Sequence, residues 1–328
     1  MININIISPI ADLFKKQLAS DWETKGYRFC FNSKEDIIWD SVVVYENIHE
    51  SYNIKCRKEG LFFISGEPPI VKVYTQAFIN LFDHIISSHN LKHSNNHRDQ
   101  QALPWYFGYN FKTETSSYSF DQISQMDIPQ KEKVISFITS NRTFLPGHKN
   151  RLNWMKELQS LYKEKIDFYG KGIQQVDDKA NALLPYKFSI CIENSCVNDY
   201  WTEKIADAIL AYSIPIYYGC KNIESYFPKE AMIAIDIKDK IKSMAIMNEI
   251  VNNHERLYQE KLPFLIEARN RLLFKYNLFP FIKSYIDKYV DLTCEDYKNV
   301  SINPYDSYPK DWKQETLLKT KRVIRKLF

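Results

Sequence analysis

The chain has 328 residues, of which 45% are hydrophobic and 26% charged, and its formal net charge is +4. This is globular composition with enough apolar residues for a sizeable core. The length calls for two domains, and so mild a charge gives no argument for nucleic acid. With only 8 glycines, and neither G-x-G-x-x-G nor G-x-x-x-x-G-K-[ST] present, glycine-rich phosphate loops are excluded.

The six cysteines (Cys30, Cys56, Cys191, Cys196, Cys220 and Cys294) are dispersed and form no C-x-x-C pair. Zinc spacing is absent and a disulfide framework is not expected, which leaves inert thiols in a reducing compartment. The start, MININIISPIADLFKK, lacks the basic residues and long apolar run of a signal peptide. No stretch approaches the ~20 apolar residues of a membrane span. The expectation is a soluble or peripheral protein, cytoplasmic if bacterial.

In chain order, Ile2, Ile4 and Ile6 alternate with asparagines and predict a first strand over 2–7. A short helix follows over 10–18, then strands over Ile37–Tyr45 and Gly60–Ile64. Ser65-Gly66-Glu67-Pro68-Pro69 stops the last of these and forces a turn. Helical periodicity is read over Tyr74–Ile86. Residues 89–130 are polar and irregular, an interdomain, acceptor-side loop zone, with the boundary placed near Pro129.

The alternation restarts with a strand at Val134–Thr139, a helix at Arg151–Leu161 and a strand at Ile166–Tyr169. A strand over Phe188–Ile192, a helix over Thr202–Tyr212 and a strand over Ile214–Tyr218 follow. A last strand is read at Ile233–Ile237, and 244–276 is largely helical. Strands alternating with helices predict parallel α/β architecture. The expected division is 1–129, 130–290 and a tail over 291–328.

The segment with the most chemistry is FSICIENSCVNDYWTEKIADAILAYSIPIYYG. Ligands of open α/β sheets sit outside the carboxyl ends of strands, and here a strand delivers Glu193 and Asn194 to that edge. The helix starting at Thr202 offers unpaired N–H groups and a partial positive charge, which suit a diphosphate. Lys204 adds a full charge, and Glu203 a carboxylate able to accept hydrogen bonds from sugar hydroxyls. The plainer reading is a capped helix with a solvated Glu-Lys pair.

The run Tyr186-Lys187-Phe188, Glu193-Asn194-Ser195, Asp199-Tyr200-Trp201-Thr202-Glu203-Lys204 and Ile214-Pro215-Ile216-Tyr217-Tyr218-Gly219 resembles the donor-domain signature of the family 10 glycosyltransferases, the α-1,3/4-fucosyltransferases. The likeness covers roughly residues 130–240. It departs at Ile192, where that family usually has an aromatic, and at Trp201, where it usually has a small aliphatic. The resemblance implies a GT-B-type α/β fold, two facing Rossmann-like domains with the active site in the interdomain cleft. It implies an inverting enzyme using GDP-fucose. By motif, Glu203 and Lys204 would contact the fucose and phosphates, and Asn194 and Tyr200 would line the donor site. A donor-binding arginine falls at Arg151, with Arg142 as the alternative. The base that deprotonates the acceptor falls at Glu67 in FFISGEPP, whose plainer reading is a turn glutamate in water.

No D-x-D follows a strand, so no metal cofactor is expected. Asp177-Asp178 and Asp236…Asp239 read as loop acids. His89, His93 and His97, four apart, would form a metal face only on a helix. Residues 312–328 (WKQETLLKTKRVIRKLF) interleave apolar and basic residues, as in a helix lying on an anionic membrane or one packed back on a domain. The expected partners are a nucleotide-sugar donor and an oligosaccharide or lipid-linked glycan acceptor of lipopolysaccharide or capsule type. The tail would make peripheral contact with the inner face of the plasma membrane. The alternatives are another nucleotide sugar on the same scaffold, or a catalytically silent nucleotide-sugar-binding scaffold.

Overall fold

The structure, a computed structural model, describes residues 1–139 and 146–310. Arg142 and the basic tail 312–328 lie outside the described residues. The chain divides into two compact units. Among the described residues the first gathers 1–104, 119–121 and 276–310; the second holds 105–118 and 122–275. Both are α/β with parallel sheets.

The first unit holds a six-stranded parallel sheet in the order β2-β1-β4-β6-β7-β8. Its strands are β1 (Ile2–Ile7), β2 (Tyr27–Phe31), β4 (Ser41–Tyr45), β6 (Leu61–Ile64), β7 (His84–Ser87) and β8 (Asn96–Arg98). Every residue of β4, β6 and β7 is buried, as central parallel strands covered on both faces must be. One face packs Ile4, Phe14 of α1 (Ala11–Lys15), Val43 and Phe62 against Phe279, Ile282 and Ile286 of the helix Leu278–Tyr289. The other packs Val42, Val44 and Phe63 against Phe78 of α2 (Gln76–Ile79), Phe82 and Tyr305.

Three readings are corrected here. The single strand expected over Ile37–Tyr45 is two. β3 (Ile38–Trp39) pairs with β5 (Tyr52–Arg57) in a small separate sheet, while β4 joins β1. Asp40 makes the break, because its carboxylate accepts from Asn3 N at 2.8 Å and Arg57 Nε at 2.7 Å. The helix expected over Tyr74–Ile86 is one turn, N-capped by Thr75, followed by β7. A short apolar run such as His84-Ile85-Ile86 has no period that separates a buried strand from a helix. The boundaries at 129 and 290 also move. The helix Leu278–Tyr289 and the strand Tyr297–Ile302 return to the first unit, the strand pairing antiparallel with β5. Residues 105–118, read as acceptor-side loop, belong to the second unit.

The second unit opens with a hairpin of β9 (Tyr109–Asn110) and β10 (Thr115–Ser116). The short helix α3 (Phe120–Ser124) is shared at the division between units. A five-stranded parallel sheet follows in the order β12-β11-β13-β14-β15. Its strands are β11 (Lys133–Ile138), β12 (Ile166–Tyr169), β13 (Tyr186–Ile192), β14 (Ile214–Tyr218) and β15 (Ile233–Ala234). The helices are α4 (Pro146–Tyr162), α5 (Glu203–Leu210) and α6 (Lys240–Phe274), the last bending at Asn253. Among the described residues no helix is long and apolar enough to cross a membrane.

Candidate functional site

The site grows from β13. All seven of its residues are buried between β11 and β14, so the strand fixes where its carboxyl end lies. Glu193 N continues the pairing onto Tyr218 O at 2.8 Å. The Glu193 side chain, fully enclosed, turns back to the first turn of α5. One carboxylate oxygen accepts from Thr202 N and the other from Thr202 Oγ1, both at 2.8 Å. Thr202 Oγ1 in turn accepts from Lys204 N at 3.3 Å and Lys204 Nζ at 3.0 Å. This uses the hydroxyl's one donor and two acceptor positions completely. The expected cap at Thr202 is therefore real, and it is also the hinge pin of the loop.

Lys204 closes the cluster. Its Nζ lies 3.1 Å from Glu203 and 3.4 Å from Glu193. Burial works against every charge here, since an ion leaving water needs a partner. Burial pushes the Glu193 carboxyl up, against the pull of Lys204. For Glu203 burial also pushes upward, but Lys204 and Lys179 outweigh it and hold the group at about 2. Burial alone would lower Lys204; its two carboxylates outweigh that and raise it. The result is an ionised Glu203 and a firmly cationic Lys204 at one helix N-terminus.

The loop between Glu193 and Thr202 is braced from below. Asp199 adopts φ +62°, and its backbone N donates to Asn222 Oδ1 at 2.8 Å. Its carboxylate accepts from Asn222 Nδ2 at 2.6 Å and Tyr226 OH at 2.8 Å. Trp201 is 2% exposed and sits edge-on to Phe227 at 5.1 Å, so the aromatic that departs from the family pattern is spent on packing. Gly219 is required by proximity: a Cβ there would stand 2.4 Å from Glu193 Cγ. Gly170, with φ +127°, ends β12 so close to β11 that a Cβ would meet Thr139 O at 1.6 Å.

A cavity of about 720 Å³ opens beside this edge, entirely within the second unit. Arg151, Lys171, Lys179 and Lys204 line it, against the carboxylates of Glu203 and Asp207. The balance favours an anion, and the volume is that of a small-molecule site. Arg151 comes from α4, is 6% exposed, and its Nη1 donates to Asn194 Oδ1 at 2.7 Å.

Of the expected donor residues, Arg151, Asn194, Glu203 and Lys204 thus meet in one cavity. Tyr200 is buried and is not among the residues that line it. Glu67 lies in the first unit, in the turn after β6. His89 Nε2 donates to its main-chain carbonyl at 2.7 Å.

The metal face read from His89, His93 and His97 does not form. His97 stands on β8, while His93 Nε2 bonds Phe82 O at 3.1 Å. Among the described residues no group of three His, Cys, Asp or Glu side chains is arranged to hold a metal. Asp178 is spent on local structure, accepting from Ala180 N and Ser117 Oγ, each at 2.8 Å.

Lys179, Asp207 and Lys171 escaped the sequence reading. Asp207 follows Glu203 by four residues, so helical spacing on α5 would have brought it to the same face. Lys171 comes from a turn and Lys179 opens the short 3-10 helix Lys179–Ala182, and no local pattern marks either as a cavity residue.

The two parallel α/β units make a fold of the GT-B type, shared with solved glycosyltransferases. The similarity in fold extends over most of the chain. One solved α1,3-fucosyltransferase matches with a TM-score of 0.50 at 20% identity, covering 80% of each chain. An α-glucosyltransferase matches with a TM-score of 0.53 at 9% identity, covering 88% of this chain and all of that one. Residues 128–264 match the family described as "Glycosyltransferase family 10 (fucosyltransferase) C-term". A curated relative, 4-galactosyl-N-acetylglucosaminide 3-alpha-L-fucosyltransferase 9 of Homo sapiens, is 32% identical over 139 residues. That match covers 40% of this chain and 37% of the length of the relative.

Proposed function

We propose that the protein is an inverting, metal-independent glycosyltransferase that moves L-fucose from GDP-fucose to a hydroxyl of a glycan acceptor. The observation that carries this is the assembly of Arg151, Asn194, Glu203 and Lys204 around one cavity at the N-terminus of α5. In-line displacement at the sugar's anomeric carbon puts new negative charge on the departing diphosphate. Arg151 and Lys204, with the positive end of the helix, stabilise that charge and do the electrostatic work otherwise given to a metal. Glu203, held ionised, accepts hydrogen bonds from the sugar's hydroxyls. Glu67 is the base that takes the acceptor's proton, and its strand-end turn, tied by His89, supports that assignment.

The acceptor is a GlcNAc-type hydroxyl of a bacterial surface glycan, lipopolysaccharide O-antigen or capsule, which places the enzyme in the cytoplasm at the inner face of the plasma membrane. The curated relative's name, with its N-acetylglucosaminide acceptor and 3-linked fucose, supports the acceptor chemistry. Incubating the purified protein with GDP-fucose, and separately with UDP-sugars, while following nucleotide release tests the donor. GDP release that rises with an N-acetylglucosaminide acceptor is expected. Turnover of a UDP-sugar with none of GDP-fucose would overturn the fucose assignment and leave another sugar on the same scaffold. GDP binding without turnover of any nucleotide sugar would leave a binding scaffold.

A further inference from the structure

The hairpin segment 105–118 belongs to the donor-side unit and is tied into the cavity from two directions. Asp207, 2% exposed on α5, accepts from Tyr106 N at 2.7 Å and Phe107 N at 2.9 Å through one carboxylate oxygen. Its other oxygen accepts from Lys179 Nζ at 2.7 Å, and that ammonium lies 5.0 Å over the Tyr106 ring. At the far end of the segment Phe111 N donates to Asp177 O at 3.1 Å, and Asn110 makes a β-bridge with Asp178. Gly108, at φ +74°, makes the turn between, where a Cβ would stand 2.6 Å from the Tyr118 ring. The hairpin is therefore held to α5, to Lys179 and to the loop before Lys179, all parts of the cavity's own frame.

What this frame presents is unlike the rest of the wall. Tyr106 and Phe111, rings 5.2 Å apart, both line the cavity. Phe111 is 51% exposed although its backbone is fixed. A large apolar ring kept in water beside four cations is costly unless something flat covers it. A nucleoside diphosphate offers both complements in one molecule: two phosphates for the cations and an aromatic base for the ring.

Resting on the reading of the cavity as a nucleotide-sugar site, we propose that the hairpin 105–118 is its base-stacking wall, with Phe111 as the ring on which the nucleobase lies. Asp207 is the positioning residue that fixes this wall relative to Lys204. Stacking accepts any base, so the wall provides affinity for a nucleoside over a bare diphosphate and leaves the choice among bases to other contacts.

Titration calorimetry with GDP and with inorganic pyrophosphate, on the full chain, tests this. Phe111→Ala, which removes a half-exposed ring that touches Tyr106 and Tyr109, is expected to weaken GDP binding about tenfold, the scale of one lost base–aromatic stack. Pyrophosphate affinity is expected to stay at the wild-type value, and Phe111→Tyr to restore GDP binding. Equal GDP affinity in wild type and Phe111→Ala overturns the stacking wall while leaving the nucleotide site standing. A wild-type protein that binds neither GDP nor any other nucleoside diphosphate overturns both.

Discussion

The two units end their parallel sheets on edges of opposite chemistry. In the second unit, β13 runs out into Glu193, Thr202 and Lys204, and four cations line the cavity beside it. In the first unit the central strands run out into acids. Glu46 follows β4 at φ +66°, half-buried, its carboxyl raised by burial against the pull of Lys72. Glu67 follows β6, its turn bonded by the buried His89 after β7. A parallel sheet supplies a ledge at the carboxyl ends of its strands whatever the sequence. The residues set on that ledge decide whether it gathers cations or acids.

The largest expected effect separates the edges by function. Glu67→Gln removes the proposed base, and turnover is expected to fall by about 10²–10⁴-fold with GDP affinity unchanged in calorimetry. A loss of GDP affinity in this variant would show that the edges do not divide the work as proposed.

Removing the hub of the second edge acts on stability as well as on binding. Lys204→Ala leaves Glu193 enclosed without its cation and takes from the mostly buried Glu203 its nearer one. Breaking a buried pair from one side costs about 3–5 kcal/mol, read as a lower urea midpoint, with donor binding lost in the same variant. A midpoint close to wild type would mean that water reaches Glu193.

Glycine substitutions sharpen the comparison on a smaller scale. Gly219→Ala forces a methyl group against Glu193 and is expected to cost about 1–3 kcal/mol, the range for overpacking, while weakening GDP binding. Gly26→Ala in the first unit meets only its own backbone, since nothing stands within 4 Å of the new Cβ at φ +86°. It is expected to cost about 1 kcal/mol and to leave GDP binding alone.

The comparison also has a slope with pH. Glu203 is depressed from 4.5 to about 2 in the folded protein. Its contribution to stability is therefore complete above pH 4.5 and is lost as pH falls from 4.5 through 2. Denaturation series over that window should show a shallower loss of stability for Glu203→Gln than for wild type. Parallel curves would place Glu203 outside the ion cluster.

The edge of the second unit was legible because its parts are local. Glu193 to Lys204 lie within one strand-loop-helix, where order along the chain is order in space. Thr202 and Glu203 announce the helix start by cap and first-turn charge, and Arg151 was reachable only through the family's pattern. The errors arose where distant partners decide the outcome. Asp40 splits an apolar run because Arg57 and the Asn3 amide are beside it. The histidines at 89, 93 and 97 share a spacing but no helix: the first two lie in the connection between β7 and β8 and the third on β8, each bonded to a different neighbour. Residues 105–118 look like a polar linker until Asp207, a hundred residues later, takes two of their amides.

The sequence by itself determined the alternation that makes parallel α/β units, the capped helix at Thr202, and the identity of the charges brought to its start. These follow from periodicity and from contacts a few residues apart, which one chain segment contains whole. Only the tertiary structure decided that Glu193 is the enclosed pin of that helix and that Lys179 and Asp207 share its cavity. It alone returned the helix Leu278–Tyr289 to the first unit and gave the aromatic hairpin to the second. Those outcomes depend on which buried charge finds a partner and which apolar face finds a cover, conditions that only the folded chain as a whole can satisfy.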